Sequence, residues 1–183
     1  MKTLVLRIVI DTEEDIFRDI EIRQDQNFEE LHDAIIQSFQ FSGDQMASFY
    51  MSNDDWEKGQ EIGLMDVSAF DGDNSTPSMK TTLIEQMLNK KHQKMLYVYD
   101  FLKMWIFYVE VIQINDADGA QSYPKMVRKF GDAPNEDSKE LPDLFEGLDV
   151  HVQDDFGSSD DDDDYDDFDD DDPFSEFEDS YDY

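Results

Sequence analysis

Three things are scarce in this chain of 183 residues: cysteine, positive charge and long apolar runs. The complete absence of cysteine excludes disulfides, thiolate metal ligands and cysteine nucleophiles, and it suits a reducing compartment. A membrane-spanning helix needs about 20 apolar residues, whereas the longest apolar run after the N-terminal segment covers only residues 104–109. We therefore expect a soluble, cytoplasmic protein that does not enter a membrane.

Negative charge dominates the whole chain. It has 14 Lys and Arg against 47 Asp and Glu, a formal charge of −33, and residues 1–150 alone hold 14 basic and 30 acidic residues, a formal charge of −16. Binding to nucleic acid or to an anionic membrane requires cationic side chains. The composition therefore predicts neither direct nucleic-acid binding nor membrane binding.

The charge is most concentrated at the C-terminus. Residues 151–183 hold 15 Asp, 2 Glu and no Lys or Arg, together with 7 Tyr and Phe. Such a segment gains too little from burial to offset the entropy of ordering, roughly 1 to 2 kcal/mol per residue. We therefore predict a folded domain over residues 1–130, a linker or partly docked segment over residues 131–150, and a disordered Asp-rich tail over residues 151–183.

The N-terminal part of the chain has the pattern of a β-hairpin followed by a helix. Apolar residues alternate with other residues over positions 4–10, and a looser alternation follows over positions 16–22. Asn27, with Glu30 three positions later, has the capping-box pattern that begins a helix, and apolar residues then recur at helical spacing over positions 28–39. Strand, strand and capped helix predict a β-grasp-like start.

The middle of the chain and the region before the tail are less regular. Positions 46–51 are short, aromatic and strand-like, whereas positions 52–78 are rich in Gly, Asp and Asn and predict mostly loop, with a short strand around 62–65. Positions 141–148 carry enough leucine and phenylalanine for one last docked turn or helix.

The strongest strand signals come later and complete the fold prediction. Thr82 and Glu85 form a second capping-box pattern for a short helix over positions 83–88. Positions 95–101 and 104–114 are rich in aromatic and β-branched residues, so they should pair as a central hairpin. Together these elements predict a single α+β domain.

Asp100 is the sharpest candidate for a catalytic or metal-binding residue. Strand alternation places it on the face of Leu96 and Val98, where an ionised carboxylate is costly unless it is paired or hydrogen-bonded. Asp100 is then either a general base or metal ligand, or a strand-end residue that accepts hydrogen bonds from the loop over residues 102–104. We favour the second interpretation, because aspartate at a strand end is a common turn former.

Other signatures of metal, nucleotide or hydrolase chemistry are missing from the sequence. His32 is either a proton carrier or, as we favour, a packed helix residue with one satisfied nitrogen. Two calcium-loop-like segments, 71–74 and 116–119, lack acidic residues where an EF-hand needs its first and last ligands. The chain contains no Gly-rich phosphate loop and no Gly-x-Ser-x-Gly. We therefore predict no cofactor and no metal site.

Several motifs read together resemble one known family. Positions 27–35 contain Leu-His-x-Ala-Ile, positions 97–101 read Tyr-Val-Tyr-Asp-Phe, and Trp105 follows. Positions 16–20 resemble the entry into the family's second strand, and positions 123–137 resemble its closing Tyr-Pro and Pro-Pro-Glu-Asp segments. With these features the chain resembles the plasmid pRiA4b ORF-3-like family over residues 1 to about 140. The resemblance implies an α+β domain without an established enzymatic activity.

The chain departs from the family pattern at two places. After Tyr-Asp-Phe the family continues Gly-Asp-x-Trp-x-His, whereas this chain has Leu102 and Lys103 and carries Phe107 at the histidine position. The family's Cys-Gly-Gly after Pro-Glu-Asp is replaced by Ser-Lys-Glu at positions 138–140. Because a tight turn with positive φ favours glycine, we expect a wider loop here. The loss of these polar elements favours a binding or scaffold role.

The first functional hypothesis is a non-enzymatic interaction module whose tail engages basic partners. Aromatic residues interleaved with acidic ones suit recognition of a basic, partly apolar groove, so the expected anchors are Tyr165, Phe168, Phe174 and Phe177. A purely solubilising tail and a tail that weakly binds divalent cations are the alternatives.

The second hypothesis is a divergent metal-dependent enzyme, of the hydrolase kind. It uses Asp100 together with loop carboxylates such as Asp54 or Asp55. The missing catalytic motifs favour the interaction module over this alternative.

Overall fold

The fold is described from a computed structural model that defines residues 1–65 and 76–140. All of these residues belong to one compact unit, Met1–Leu144. The elements, in chain order, are β1 (Lys2–Ile10), β2 (Phe17–Arg23), α1 (Phe28–Phe39), β3 (Ala47–Ser52), β4 (Lys58–Gly63), α2 (Ile84–Met87), β5 (Lys94–Tyr99), β6 (Trp105–Asp116), β7 (Lys125–Phe130) and a 3-10 turn (Glu136–Ser138).

The strands of this part of the chain form one seven-stranded sheet in the order β4-β3-β5-β6-β1-β2-β7, with antiparallel neighbours throughout. Both predicted hairpins are confirmed, because β1 pairs with β2 and β5 pairs with β6. Pairing of β1 with β6 joins the two hairpins side by side. The sheet is therefore continuous, with β4 and β7 at its edges.

The α+β prediction is wrong, because the fold is mostly β. Among the residues that the structure describes, only the 12 residues of α1 and the 4 of α2 are α-helical. The prediction placed most of β4 in a loop and missed β7. The sequence of β4 is Lys-Gly-Gln-Glu-Ile-Gly, and that of β7 is Lys-Met-Val-Arg-Lys-Phe. Edge strands tolerate polar and charged side chains. Hydrophobic alternation therefore does not reveal them, and the size of the sheet was underestimated.

Helix α1 begins as its capping box predicts. The Asn27 side chain accepts a hydrogen bond from the Glu30 N–H (2.9 Å), and the Glu30 carboxylate accepts one from the Asn27 N–H (2.9 Å). The core lies between the buried face of this helix and one face of the sheet. That helix face consists of Phe28, Leu31, His32, Ile35, Ile36 and Phe39.

The second predicted capping box is wrong. The Thr82 hydroxyl donates to the Ser78 carbonyl (2.7 Å) instead of capping α2. Gln86, rather than the predicted glutamate, accepts a hydrogen bond from the Leu83 N–H (2.8 Å). The helix that follows is a single turn, shorter than the predicted 83–88, because no long apolar face extends it.

None of the helices in residues 1–65 and 76–140 is long and apolar enough to cross a membrane. The calcium-loop-like segment 71–74, the turn predicted over residues 141–148 and the tail with its aromatic anchors lie outside the described residues. The division into domain, linker and tail stays a prediction.

Candidate functional site

The motif residues meet at the end of the sheet where β5 runs into β6. A turn over residues 100–104 connects the two strands there. Residues 133–139, which we call the strap, bond to this turn and to the residues around it. The strap includes the Pro-Asn-Glu-Asp segment that resembles the family pattern.

Asp100 caps this turn. Its Oδ1 atom accepts hydrogen bonds from the N–H groups of Leu102 (3.0 Å) and Lys103 (3.1 Å), and its own N–H donates to the Met46 carbonyl (2.9 Å). The residue is 6% exposed and has φ 56°, in the left-handed region that aspartate tolerates better than most residues. The carboxylate therefore acts as an acceptor for the turn, as in the strand-end interpretation.

The loop carboxylates of the enzyme hypothesis lie at the opposite end of β5. Asp54, next to Asp55, forms an ion pair with Lys94 (3.2 Å) at the beginning of the strand, whereas Asp100 follows its last residue. At about 3.3 Å per residue, a strand of 6 residues separates them by roughly 20 Å. One metal ion therefore cannot contact both sites. Within residues 1–65 and 76–140, no three His, Cys, Asp or Glu side chains are grouped to hold a metal.

The centre of the site is Glu136, which sequence analysis did not single out. Its Oε2 atom accepts a hydrogen bond from the Ser42 N–H (2.6 Å), and its Oε1 atom accepts one from the Tyr99 hydroxyl (2.9 Å). The Ser42 hydroxyl lies between Glu136 Oε1 (2.9 Å) and Asp44 Oδ1 (2.6 Å), which share its single proton. The Gly43 N–H donates to the Tyr99 oxygen (3.0 Å) and orients it. Burial raises the pKa of Tyr99, which keeps its proton available for donation. We call Ser42, Tyr99 and Glu136 the Glu136 clasp.

A second set of contacts holds the strap next to the clasp. The Glu136 carbonyl accepts hydrogen bonds from the Trp105 indole N–H (3.3 Å) and the Lys103 ammonium (3.3 Å). Lys103 also pairs with Asp137 (2.7 Å), and this hydrogen bond raises the pKa of Lys103. The Lys139 ammonium donates to the carbonyl of Met104, the last residue of the turn. The same ammonium lies 5.2 Å from the centre of the Trp105 ring. Lys103 on the turn and Lys139 on the strap therefore each tie the strap to the turn.

Phe107, at the family's histidine position, belongs to the core. Its side chain is fully buried. Its ring lies 5.0 Å from that of Phe39, 6.1 Å from that of Phe41 and 5.4 Å from that of Tyr97. The position supplies aromatic packing in place of a titratable imidazole.

His32 lies inside the same core. The residue is 4% exposed, and its Nδ1 atom lies 2.7 Å from the Tyr97 hydroxyl. Burial lowers the pKa of His32 and raises that of Tyr97, so both side chains are neutral at neutral pH. This arrangement matches the packed-residue interpretation, although no sequence pattern indicated the tyrosine partner.

An open cleft of about 480 Å³ lies between the C-terminal end of α1 and the strap. Helix α1 ends where Gln40 adopts φ 61°, which turns the chain toward the clasp. The lining combines aromatic rings with polar and acidic groups, and consists of Phe39, Gln40, Phe41, Ser42, Ala133, Pro134, Asn135, Glu136 and Asp137.

Arg18 is a buried cation that sequence analysis also missed. It is 3% exposed, and burial lowers its pKa. Its guanidinium donates to the carbonyls of Ser38 (3.1 Å), Phe130 (2.9 Å) and Gly131 (3.1 Å), and it lies 4.8 Å from the centre of the Phe39 ring. Arg18 thereby ties β2 to the end of α1 and to the chain that leads into the strap. The available signal was its place in the apolar alternation of β2.

Comparison with known proteins agrees with the motifs. A family model described as plasmid pRiA4b ORF-3-like protein matches residues 2–179, which includes most of the acidic tail. Among solved structures, a protein of unknown function from Methanosarcina mazei Go1 is similar, with a TM-score of 0.63 and 23% identity over 75% of this chain and 74% of that chain. That likeness shows a shared fold. Comparison with curated proteins gave no match. Because the family model spans nearly all of it, the chain belongs to the plasmid pRiA4b ORF-3-like protein family.

Proposed function

We propose that this protein is a non-enzymatic interaction module whose acidic, aromatic tail engages basic partners. The expected anchors are the aromatic residues Tyr165, Phe168, Phe174 and Phe177, set among carboxylates. The partner is a protein surface that is cationic and partly apolar, because such a surface complements both features of the tail. The proposed location is the cytoplasm.

The composition of the tail carries this proposal. Residues 151–183 combine 17 acidic residues with 7 Tyr and Phe and no Lys or Arg. Charge alone is enough to keep a protein soluble, whereas large aromatic side chains add contact area at an interface for little loss of side-chain entropy. A tail that served solubility alone would not need them.

The body supports the proposal because its motif carboxylates already have partners. Asp100 accepts two backbone hydrogen bonds from its own turn. The Glu136 carboxylate accepts hydrogen bonds from the Ser42 N–H and the Tyr99 hydroxyl and shares the Ser42 hydroxyl with Asp44. A general base or metal ligand needs a lone pair directed at its substrate or ion, whereas these groups stabilise the turn and the strap.

The test uses the full chain and a synthetic peptide in which Lys and Leu alternate, as a probe of basic and apolar character. Replacing all four anchors by Ser should weaken binding, measured by fluorescence anisotropy, by at least about tenfold, since each buried anchor contributes on the order of 1 kcal/mol or more. Leu102→Ser with Val127→Ser is the matched control, because these side chains are exposed on the body (68% and 48%). Equal affinity of the anchor variant and the parent chain would overturn the proposal in favour of a solubilising tail.

A further inference from the structure

The Glu136 clasp and its surroundings hold a short acidic segment of the chain, the strap. The Ser42 N–H and the Tyr99 hydroxyl donate to the Glu136 carboxylate, and the Ser42 hydroxyl is shared between Glu136 and Asp44. Lys103 pairs with the next acidic side chain of the strap, and Trp105 with Lys103 holds the carbonyl between them. We call Ser42, Tyr99, Lys103 and Trp105 the receptor residues. Donors for two successive acidic residues and for the intervening carbonyl recognise Glu-Asp as a unit.

The peptide that now occupies the receptor is held by polar contacts near the surface. No residue of the strap is fully buried, and only Ala133 among its members packs against the core. The hydrogen bonds from Ser42 to Glu136 are exposed, and Asp137 keeps most of its surface in water, with 86% of its side chain exposed. Segments with few buried apolar contacts open locally at low free-energy cost. The strap is therefore the part of this site that can leave.

The tail contains a second copy of the strap sequence around the bound pair. The strap contacts the receptor residues through Glu136 and Asp137, whereas Ser138 donates to the Asn135 carbonyl within the strap. Glu178-Asp179-Ser180 repeats Glu136-Asp137-Ser138 near the C-terminus. The other Glu-Asp pair of the chain, Glu14-Asp15, lies in the connection between β1 and β2 and is followed by isoleucine. Phe177 precedes the second copy, and the cleft beside the clasp is lined by aromatic rings that suit such a side chain.

We propose that Glu178-Asp179-Ser180 of a second copy of this chain binds the receptor residues in place of the strap. The protein would then associate with itself through a site that its own strap gates. This inference deepens the proposed function, since it too makes the tail the binding element, but it assigns a different tail segment and a defined surface to the contact.

The charge of the chain sets the conditions for this contact. Two copies at −33 each repel one another, but the Debye length of about 8 Å at physiological salt confines this repulsion to close groups. Lys103 is the cation among the receptor residues and attracts an acidic segment locally. The strap competes with the tail segment for the same donors. The apparent affinity of the tail segment for the receptor is therefore its intrinsic affinity multiplied by the fraction of molecules in which the strap is open. Weak association of the parent chain is therefore expected.

Weakening the strap should reveal the contact. Glu136→Gln in the full chain places an amide N–H₂ opposite donors that need an acceptor, so the strap opens more often. The dissociation constant for self-association, measured by sedimentation velocity at physiological salt, should fall by at least about tenfold, which corresponds to roughly 1.4 kcal/mol.

Tail variants then identify the occupant. Adding Glu178→Gln and Asp179→Asn to the Glu136→Gln chain should return self-association to the parent level. Adding Asp161→Asn and Asp162→Asn to the Glu136→Gln chain instead removes the same charge elsewhere in the tail. Self-association should then remain stronger than that of the parent chain. If both pairs reduce association equally, general electrostatics explains it and the proposal is overturned.

A direct binding measurement covers the case in which Glu136→Gln changes little. A labelled synthetic peptide of residues 173–183 should bind the Glu136→Gln chain, in which the strap carboxylate no longer takes up the receptor hydroxyls. Adding Ser42→Ala with Tyr99→Phe to that chain should weaken peptide binding at least about tenfold by removing two receptor hydroxyls. Unchanged peptide binding in this variant would overturn the proposal. Self-association that does not increase with protein concentration would overturn it too, because contact between two copies must depend on concentration. Glu178 and Asp179 are not among the four anchors. If Glu178→Gln with Asp179→Asn abolishes self-association but leaves binding of the Lys-Leu peptide intact, the contact inferred here is distinct from the proposed function.

Discussion

Tyr97 and Tyr99 lie two residues apart on the same face of β5, are both fully buried, and serve regions that differ in how they are held together. The Tyr97 hydroxyl contacts His32 inside the aromatic core beneath α1. The Tyr99 hydroxyl contacts Glu136 on the strap at the end of the sheet. One strand thus contributes neighbouring side chains to a closed core and to a surface clasp.

The difference lies in which interactions must break for each region to open. Opening the core exposes several aromatic side chains, and each contributes about 1.5 to 3 kcal/mol by burial. Opening the clasp breaks hydrogen bonds and one ion pair near solvent, at about 0.5 to 1.5 kcal/mol per hydrogen bond. Local opening is therefore expected at the clasp rather than in the core, and the proposed exchange of the strap for a tail segment requires only the clasp to open.

The largest expected effect comes from breaking the core. Phe107→Ala should lower the free energy of unfolding by about 3 to 5 kcal/mol, because Phe107 is fully buried against two other phenylalanines. Phe130→Ala is the matched control, since Phe130 is 54% exposed on the edge strand β7, and it should cost about 1 kcal/mol or less. Urea denaturation of the full chain measures both. Similar losses would show that the core under α1 is not the main source of stability.

Asp100 tests whether the turn beside the clasp depends on its acceptor or on its charge. Asp100→Ala leaves two partly buried backbone N–H groups without their acceptor and strains a position at φ 56°, so it should cost about 1 to 3 kcal/mol in urea denaturation. Asp100→Asn keeps an acceptor and a residue that tolerates this φ, and should cost less. Equal losses for the two variants would mean that the negative charge is required.

The core should also respond to acid through His32. Burial lowers its pKa in the folded protein, whereas the unfolded chain binds this proton near the ordinary value of 6.5. The unfolding free energy should therefore be independent of His32 above this value and fall below it, by at most about 1.4 kcal/mol per pH unit, until the folded protein is protonated too. His32→Gln removes this titration. Urea midpoints for both chains between about pH 7.5 and pH 5.5 check the slope, and parallel curves would refute a role for His32.

The strands at the centre of the sheet could be predicted because their side chains face the core. Alternation located β1 and β2, and aromatic content located β5 and β6. The edge strands β4 and β7 were missed or displaced because their stabilisation comes from backbone pairing with one neighbour, which leaves little trace in side-chain pattern. The same omission produced the incorrect α+β class.

The candidate site could be predicted only in part. Asp100 as a turn-capping residue followed from its place after a strand, since the partners are its own neighbours in sequence. Glu136 could not be singled out, because its donors Ser42 and Tyr99 lie 94 and 37 residues away along the chain. In an acidic chain, one more glutamate carries no signal until the fold brings donors to it.

The smallest expected effect is the most informative about the clasp. Glu136→Gln should lower the global free energy of unfolding by only about 1 kcal/mol, because the lost contacts are near solvent. Hydrogen exchange should nevertheless quicken several-fold at the Ser42 and Gly43 amides and stay unchanged along β5 and β6, since local opening exposes only the clasp. Glu140→Gln makes the same chemical change at an exposed position. It should alter neither the free energy of unfolding nor the exchange rates of the Ser42 and Gly43 amides. Faster exchange throughout β5 would mean that the clasp and the core open together. The strap could then not leave the receptor residues while the core stays closed, and the contrast between the two regions would be wrong.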